Sequence, residues 1–409
     1  MALATTDAKI SVEPQKGSYL FPLILVTSLF FLWGLAYGLL DVLNKHFQEL
    51  LNVTKTRSTL LQAAYFGAYF LVALPAGIFM NKYGYKKGII TGLLLYTIGA
   101  LLFFPSAQNG SFNFFLLSMF ILACGLTFLE TAANPYVTVL GKPESASFRI
   151  NLAQSFNGVG AFIGPIIGGN LFFVSAGNKE NLDSVKYVYL AIAAIVFFIA
   201  ILFMRTSLPE IKEAELVDDK KQDIKPLFSH KNFTGAVVTQ FFYVAAQVGI
   251  AALFINYCTE TDKSIDSTKA SYLLSVSLML FTAGRFAGTA LMKVIAPNKL
   301  LTIYAFISIV LLAVVVSGKG ALSVYALMAV FFFESIMFPT IFALGVKNLG
   351  HHTKRGGSFI VMSIAGGAFM PYVMGMLSEK STAQSYIVPL LCFAIVAWYG
   401  LKGYKSSTD

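Results

Sequence analysis

Charge is scarce in this sequence. Only 12% of its 409 residues are Asp, Glu, Lys or Arg, about half the share that is usual in soluble domains. Tryptophan occurs twice, histidine four times and cysteine three times. An odd number of widely separated cysteines argues against a disulfide framework. Hydrophobic residues make up 56% of the chain. A water-soluble globule of this length cannot hide so much apolar surface in its interior. The composition therefore excludes soluble enzymes, nucleic-acid binders and disordered scaffolds.

Long hydrophobic runs are what the sequence has instead. A helix needs roughly 20 apolar residues to cross a bilayer. The first 18 residues are polar and carry no secretory signal, so the first run is expected to remain as a helix. The sequence therefore predicts an all-α membrane protein with twelve spans, at 19–43, 58–80, 88–105, 112–139, 149–174, 187–204, 233–258, 270–292, 300–317, 321–346, 357–378 and 384–402.

The longest polar interruption, 205–232, separates six runs from six. It holds six basic and six acidic residues, which is typical of a solvated linker or surface helix. We therefore expect a tail at 1–18, a six-helix bundle at 19–204, a second bundle at 233–403 and a tail at 404–409.

Basic residues indicate the orientation. If both termini are cytoplasmic, the cytoplasmic segments hold 20 Lys and Arg and the opposite loops nine, while Arg285 lies within a helix. Without the central linker the ratio is fourteen to nine. This bias predicts that both termini are cytoplasmic, and it explains the net charge of +10 without nucleic acid.

Metal chemistry has no support in the sequence. His351 and His352 are adjacent and lie beside Lys354 and Arg355. This spacing does not match a zinc site, and we interpret the segment as a solvated loop. No metal is expected.

An internal repeat relates the two halves. The pattern E-x4-P-x5-G occurs from Glu130 to Gly141 and again from Glu334 to Gly345, each time before a polar loop and a glycine-rich helix. Segment 77–88 also aligns with 288–299. Matches in register across both halves indicate a duplicated six-helix unit. Such repeats are typical of secondary transporters, whose binding site lies between the halves.

Four charged residues fall inside the predicted spans: Asp41, Glu130, Arg285 and Glu334. A charge at a helix centre costs about 2.5–3.5 kcal/mol on insertion scales. Each must therefore face a cavity, find a partner or be neutralised. Glu130 is expected to be functional. Glu334 is interpreted as a second ligand contact or as the partner of a basic residue, and Arg285 as part of a gating or packing ion pair.

Polar and aromatic side chains accompany these carboxyl groups. Trp33, Tyr37 and Asp41 share one helix face. An aromatic ring beside a carboxyl group is a common arrangement for binding a sugar. The same aromatic residues could instead form a belt at the membrane interface. Neutral amides suit a polyhydroxylated ligand because each donates and accepts; they equally suit hydrogen bonds between helices. The further candidate contacts are Gln62, Asn134, Gln154, Asn157, Tyr243 and Gln247.

Several segments resemble known transporters. Segment 77–88 is similar to the G-x-x-x-D-R-x-G-R-R loop of the major facilitator superfamily, with Asn81 and Lys82 replacing its Asp and Arg; Lys82 is the expected gating residue. Other segments, over most of the chain, resemble the fucose–galactose–glucose–proton symporter family. They are FFLWG and Asp41 (30–41), GIITGLLLY (88–96), FLETAANPYVTVLG (128–141), FRINLAQSFN (148–157), YVAAQ (243–247), GRFAGT (284–289) and PTIFALGVKNLG (339–350).

This resemblance implies the major facilitator fold, with two pseudo-symmetric six-helix bundles, and roles for individual residues. It places the coupling carboxyl groups at Asp41 and Glu130, and the sugar cavity at Glu130, Gln154 and Asn157. It implies a monosaccharide substrate, with L-fucose as the first expectation, protons as the coupling ion and no prosthetic cofactor. It also implies a monomer in the lipid bilayer. Two departures touch the cavity: Tyr37, Gly38 and Leu40 stand where the family often has Asn, and Glu334 is an additional acid.

Other functions stay open at this point. A glucose, galactose or amino-sugar symporter, coupled to protons or sodium, would share most of these features. A multidrug exporter would favour a more apolar cavity, a passive facilitator would need no acid, and a sugar sensor would bind without flux. An enzyme is not expected, because the sequence shows no nucleophile or metal constellation.

Overall fold

The computed structural model describes residues 11–12, 20–140, 146–174, 182–206, 211–212, 225–347, 349 and 353–405. Within them, twelve helical segments are long and apolar enough to cross a membrane, and these confirm the twelve predicted runs. We number them span 1 to span 12. Helices suit this setting because they satisfy every internal backbone hydrogen bond within the segment, where no water is available.

Spans 1 to 6 form the first half. Glycines with positive φ make the turns after spans 2 and 3, Gly84 at 89° and Gly110 at 58°, a region that other residues rarely adopt. The helices are Leu20–Leu51 (span 1), Lys55–Ser58 and Leu60–Tyr83 (span 2), Tyr85–Asn109 (span 3), Phe112–Val139 (span 4), Ala146–Gly168 with the π-helix Gly169–Val174 (span 5), and Asp183–Arg205 (span 6).

Spans 7 to 12 form the second half, after a short helix at Lys225–Ser229. The helices are Lys231–Ala252 and Phe254–Thr261 (span 7), Ser267–Leu291 (span 8), Pro297–Val316 (span 9), Gly320–Glu334 and Met337–Gly345 (span 10), Thr353–Met362, the 3-10 turn Ser363–Ala365 and Gly366–Ser378 (span 11), and Thr382–Ser385, Ile387–Trp398 and the π-helix Tyr399–Gly403 (span 12).

Span 1 continues beyond its predicted end at 43, to Leu51. Most of the added residues are polar, but Asn44 and His46 are buried. Asn44 Nδ2 donates to the Ala252 carbonyl at 2.6 Å, and the His46 ring stacks on Phe172 with centroids 5.1 Å apart. Because tertiary partners replace water here, the helix extends through a segment that hydropathy alone ends too early.

Spans 1 and 5 pack backbone against backbone. A Cβ atom at Gly34 would collide with the Asn157 carbonyl oxygen, and one at Gly160 with the Phe31 carbonyl oxygen. Gly38 and Gly164 face each other, and a Cβ at Gly164 would lie 2.7 Å from the Gly38 carbonyl carbon. Small residues let membrane helices approach this closely, so they fix span 5, with its amides, beside span 1.

Helix breaks distinguish the two halves. In the second half, span 7 is interrupted at Leu253, span 10 at Ser335 and Ile336, span 11 at the turn Ser363–Ala365, and span 12 at Tyr386. Their counterparts in the repeat are spans 1, 4, 5 and 6. Of these, spans 1, 4 and 6 are single α-helices and span 5 only widens into a π-helix.

The halves meet where span 2 packs on span 11 and span 5 packs on span 8. A two-residue strand, Ser11–Val12, pairs antiparallel with Ile211–Lys212 and so ties the expected N-terminal tail to the expected linker. The other residues of the 1–18 and 404–409 tails are largely outside the described residues, as are Gly141, His351 and His352. The boundaries of the two bundles stay predictions.

Candidate functional site

Asp41 lies buried in the middle part of span 1, with 2% of its surface exposed. Gln62 of span 2, also buried, donates from Nε2 to Asp41 Oδ1 at 3.1 Å. Asp41 Oδ2 and Gln62 Oε1 have no hydrogen-bond partner among the described residues. The predicted acid and amide are therefore in direct contact, with spare hydrogen-bonding capacity on both.

Glu130 is half-buried in span 4. It lines a small pocket with Trp33, and the rest of the lining is apolar: Leu29, Phe30, Leu129 and Ala133. Trp33 packs on Phe30 with ring centroids 6.4 Å apart. A flat indole beside a carboxyl group offers one surface for C–H bonds and one acceptor for hydroxyl groups.

Two tyrosines of span 2 approach Glu130 and were missed in the sequence analysis. Tyr65 and Tyr69 stack with centroids 5.3 Å apart, and both interact electrostatically with Glu130. Their buried hydroxyl groups have no hydrogen bond of good geometry in the described part of the chain. Their spacing from Gln62, three and seven residues, is a helical-face signal that could have identified them.

The predicted amides of spans 4 and 5 are partly paired with each other. Gln154 Nε2 donates to Asn134 Oδ1 at 3.4 Å, and Asn134 Nδ2 donates to the Glu130 carbonyl at 3.2 Å. Asn157 Nδ2 donates to the Phe30 carbonyl of span 1 at 3.2 Å. All three side chains are half-buried. Asn157 thus makes a hydrogen bond between helices, which was the alternative to ligand contact in the sequence analysis. Its Oδ1 atom can still accept a hydrogen bond.

In the second half, Glu334 is completely buried at the end of the first helix of span 10. Tyr243 of span 7 donates its hydroxyl to the Glu334 backbone carbonyl at 3.0 Å. Gln247, one turn further along span 7, is half-buried. Tyr37 of span 1 interacts electrostatically with both Asp41 and Glu334, so it stands between the acids of the two halves.

The two expected gating residues make no ion pair with a described residue. The Arg285 guanidinium lies over the Phe281 ring at 4.8 Å, and its Nε donates to the Ser335 carbonyl at 3.3 Å. Lys82 Nζ lies 5.2 Å from the centroid of the Tyr83 ring. Arg285 therefore caps the break in span 10 rather than pairing with an acid. No group of three or more metal-binding side chains occurs in the described ranges.

Lys55 joins the two halves at one end of the bundle. Its Nζ forms a salt bridge with Glu260 Oε1 at 2.6 Å. It also donates to the Ser378 carbonyl and to Thr382 Oγ1, both at 2.9 Å. We call this the closed end. All three acceptors belong to the second half, so opening this end requires an ammonium group to lose them together.

Further contacts reinforce the closed end. Glu379 Oε1 accepts from the Thr56 backbone at 2.8 Å and from Thr56 Oγ1 at 2.9 Å. Slight burial favours a higher pKa for Glu379, but the hydrogen bonds from Thr56 outweigh it and the pKa lies below its ordinary value. Deeper in, Asn256 Nδ2 donates to Gln48 Oε1 at 2.6 Å. We call Lys55, Thr56, Glu260 and Glu379 the latch.

We expect Lys55→Met to shift the protein toward a state in which the closed end is open. Hydrogen bonds to charged groups contribute roughly 1.5–3 kcal/mol each, so the population ratio should change about tenfold or more. Spin labels at Asn52 and Lys380, both exposed at this end, should show a new, longer distance.

Lys45→Met is the matched control, because Lys45 pairs with Glu49 within span 1 at 3.4 Å. It removes the same charge without breaking a direct Lys–acid bond between the halves. An unchanged distance distribution in Lys55→Met would contradict the latch.

Comparison with known proteins gives the family. The model of the Major Facilitator Superfamily matches residues 24–371. The L-fucose-proton symporter of Escherichia coli K12 is 40% identical, with 97% of this chain and 96% of that protein covered. The glucose/galactose transporter of Brucella abortus biovar 1 is 36% identical over 99% of both chains.

A solved structure agrees. The crystal structure of the major facilitator transporter FucP in the outward conformation has a TM-score of 0.70 and 38% identity, and 95% of this chain and 99% of that chain are covered. The fold and these relatives define a multi-pass membrane transporter and not an enzyme. The chain belongs to the major facilitator superfamily.

Proposed function

We propose that the protein is a proton-coupled monosaccharide symporter that works by alternating access, with L-fucose as the first candidate substrate. The observation that carries the proposal is the grouping of two intramembrane carboxyl groups, Asp41 and Glu130, with an indole and amides in one half of the bundle. Charged groups are rare in membrane spans and mark ion and substrate pathways. The similarity to an L-fucose-proton symporter supports the same function.

Sugar recognition is assigned to the pocket of Trp33 and Glu130. An apolar face of the sugar would stack on the indole, and Glu130 would accept hydroxyl hydrogens. The Gln154–Asn134 pair can exchange its long 3.4 Å bond for sugar contacts. Gln247 would close the site from the second half. Tyr243 and Gln62 would not contact the sugar directly. Tyr243 would hold the Glu334 carbonyl and Gln62 would hold Asp41, through the hydrogen bonds described above.

Proton coupling is assigned to Asp41, with Glu130 shared between proton and sugar. Asp41 has one partner, Gln62, and an unpartnered second oxygen. A bare carboxylate in this position would carry a large desolvation cost. Protonation removes that cost, so the carrier changes state with sugar when Asp41 is neutral. Release of the proton on the other side restores the charge.

The charge bias of the loops assigns the closed end to the outside. All the loops on the side of the latch together hold nine Lys and Arg, and the opposite segments hold 20. With this orientation both termini are cytoplasmic, and the structure is a state sealed on the outside by the latch. The bacterial relatives support placement in the inner membrane of a cell. We propose that the protein acts there as a monomer.

Glucose or galactose is the second candidate, coupled to protons or to sodium. It is favoured by the 36% identity to a glucose/galactose transporter over 99% of both chains. The chain-specific residues Tyr37 and Glu334 lie close enough to interact, where they would tune the site for a different sugar.

The test is uptake of labelled L-fucose by proteoliposomes, with a proton gradient or a sodium gradient imposed separately and unlabelled sugars as competitors. One proton crossing about 100 mV provides roughly 2.3 kcal/mol, which corresponds to about 40-fold accumulation. We expect accumulation of at least that size with protons, blocked best by L-fucose. Accumulation driven only by sodium, or blocked best by glucose or galactose, would favour the second candidate. Sugar binding without flux would overturn both.

A further inference from the structure

The break in span 10 falls immediately after Glu334. The first helix ends at this residue, and the second begins at Met337. In the repeat, Glu130 of span 4 lies inside one continuous helix, Phe112–Val139. Discontinuous helices in secondary transporters place ion and substrate sites at the interruption, because the freed backbone groups need partners there. The second half therefore has a feature that its counterpart lacks, at the position of an acid.

The freed backbone groups are satisfied by two neighbouring side chains. Tyr243 donates to the Glu334 carbonyl at 3.0 Å, and Arg285 Nε donates to the Ser335 carbonyl at 3.3 Å. Gly284 lets span 8 approach closely, since a Cβ there would lie 2.8 Å from Ser335 Oγ. Tyr243 and Arg285 are thus directed to the backbone rather than to the Glu334 carboxyl group.

The Glu334 carboxyl group itself is isolated. Its exposed fraction is 0%, and neither Oε1 nor Oε2 has a hydrogen-bond partner among the described residues. Arg285 lies over the Phe281 ring and makes no salt bridge there. A buried carboxylate that receives no donor or cation from the described residues is a high-energy species inside a protein. In this state Glu334 must therefore be the neutral acid.

The titratable groups near Glu334 come from four neighbouring spans. Tyr243 belongs to span 7 and Arg285 to span 8, and neither neutralises the carboxyl group. Tyr37 of span 1 interacts electrostatically with Glu334 and with Asp41. Tyr304 of span 9 packs on Phe332 and Phe333. Tyr37 is thus within electrostatic range of one carboxyl group in each half, Asp41 and Glu334.

We propose that Glu334 is a second proton carrier, located at the break of span 10, and that the cycle moves one more proton per sugar than the Asp41–Glu130 site moves alone. The step is a simple proton transfer. The glutamate takes a proton from external hydronium, leaving water, and returns it to internal water when the site opens inward. No other bond forms or breaks. The inference rests on the proposed function of the protein.

The test is the proton-to-sugar ratio, measured as the membrane potential at which net sugar flux reverses in proteoliposomes with fixed sugar and pH gradients. We expect two protons per sugar in the wild type and one in Glu334→Gln. At about 100 mV the accumulation limit should then fall about 40-fold in the variant. Counterflow exchange of sugar should persist, which shows that the variant is folded, and Glu334→Asp should keep the wild-type ratio.

A ratio of one in the wild type would overturn this inference without any variant and would leave the proposed symport intact. An unchanged ratio in a Glu334→Gln protein that still exchanges sugar would also overturn it. The absence of proton-driven flux in the wild type would overturn the proposed function, and this inference with it.

Discussion

Proton-driven accumulation of sugar is expected to fall by at least about 40-fold at 100 mV when Asp41 is replaced by asparagine. The substitution keeps the shape of the side chain, but the residue can no longer lose a proton. A permanently neutral residue allows the carrier to change state with sugar and without that proton. Gradient-free counterflow should therefore continue, while accumulation against a gradient loses the contribution of one proton.

Steady-state accumulation in proteoliposomes measures this effect. Asp262→Asn is the matched control, because Asp262 is a loop residue whose hydrogen bonds from Ser264 lower its pKa. It removes the same charge outside the spans and should accumulate sugar as the wild type does. Wild-type accumulation in Asp41→Asn would remove Asp41 from the coupling mechanism. Loss of counterflow as well would indicate that the residue is needed for folding or binding.

Replacing Gly34 with alanine is expected to cause the second large effect, on assembly of the first half. The new methyl group would collide with the backbone carbonyl oxygen of Asn157 in span 5. A backbone atom cannot rotate away as a flexible side chain can, so spans 1 and 5 must separate. Overpacking of this kind costs roughly 1–3 kcal/mol. It would also displace Asn157 and Gln154 from the candidate site.

The measurement is the thermal unfolding midpoint of detergent-solubilised protein, together with the yield of folded protein. Gly67→Ala is the matched control, since a Cβ at Gly67 meets nothing within 4 Å. It makes the same chemical change in a helix and should leave the midpoint near or slightly above that of the wild type. Equal midpoints for the two variants would show that the contact between spans 1 and 5 is more compliant than its geometry indicates.

The fold was predictable because a bilayer selects for long apolar runs, and this signal is local. The end of span 1 was misplaced because Asn44 and His46 find their partners, Ala252 and Phe172, far along the chain. The break in span 10 is invisible to hydropathy, because the sequences on its two sides are similarly apolar.

The candidate site was predictable as a set of residues and not as a set of contacts. Buried acids and amides stand out in an apolar sequence, so Asp41, Glu130 and Gln62 could be selected. The hydrogen bond from Gln62 to Asp41 depends on how spans 1 and 2 pack against each other. The periodicity of residues within one helix carries no information about that packing. Arg285 shows the same limit: the sequence suggested an ion pair, whereas the structure directs its Nε to a backbone carbonyl.

The uneven distribution of helix breaks has a mechanical consequence. A continuous helix resists bending, whereas an interruption removes backbone hydrogen bonds and acts as a hinge. Spans 7, 10, 11 and 12 contain interruptions, and their repeat partners run through. The first half, whose only break between described helices of one span is at Thr59, should therefore be stiffer than the second. Deformation during the cycle would then be concentrated at Leu253, Ser335 and the turn Ser363–Ala365.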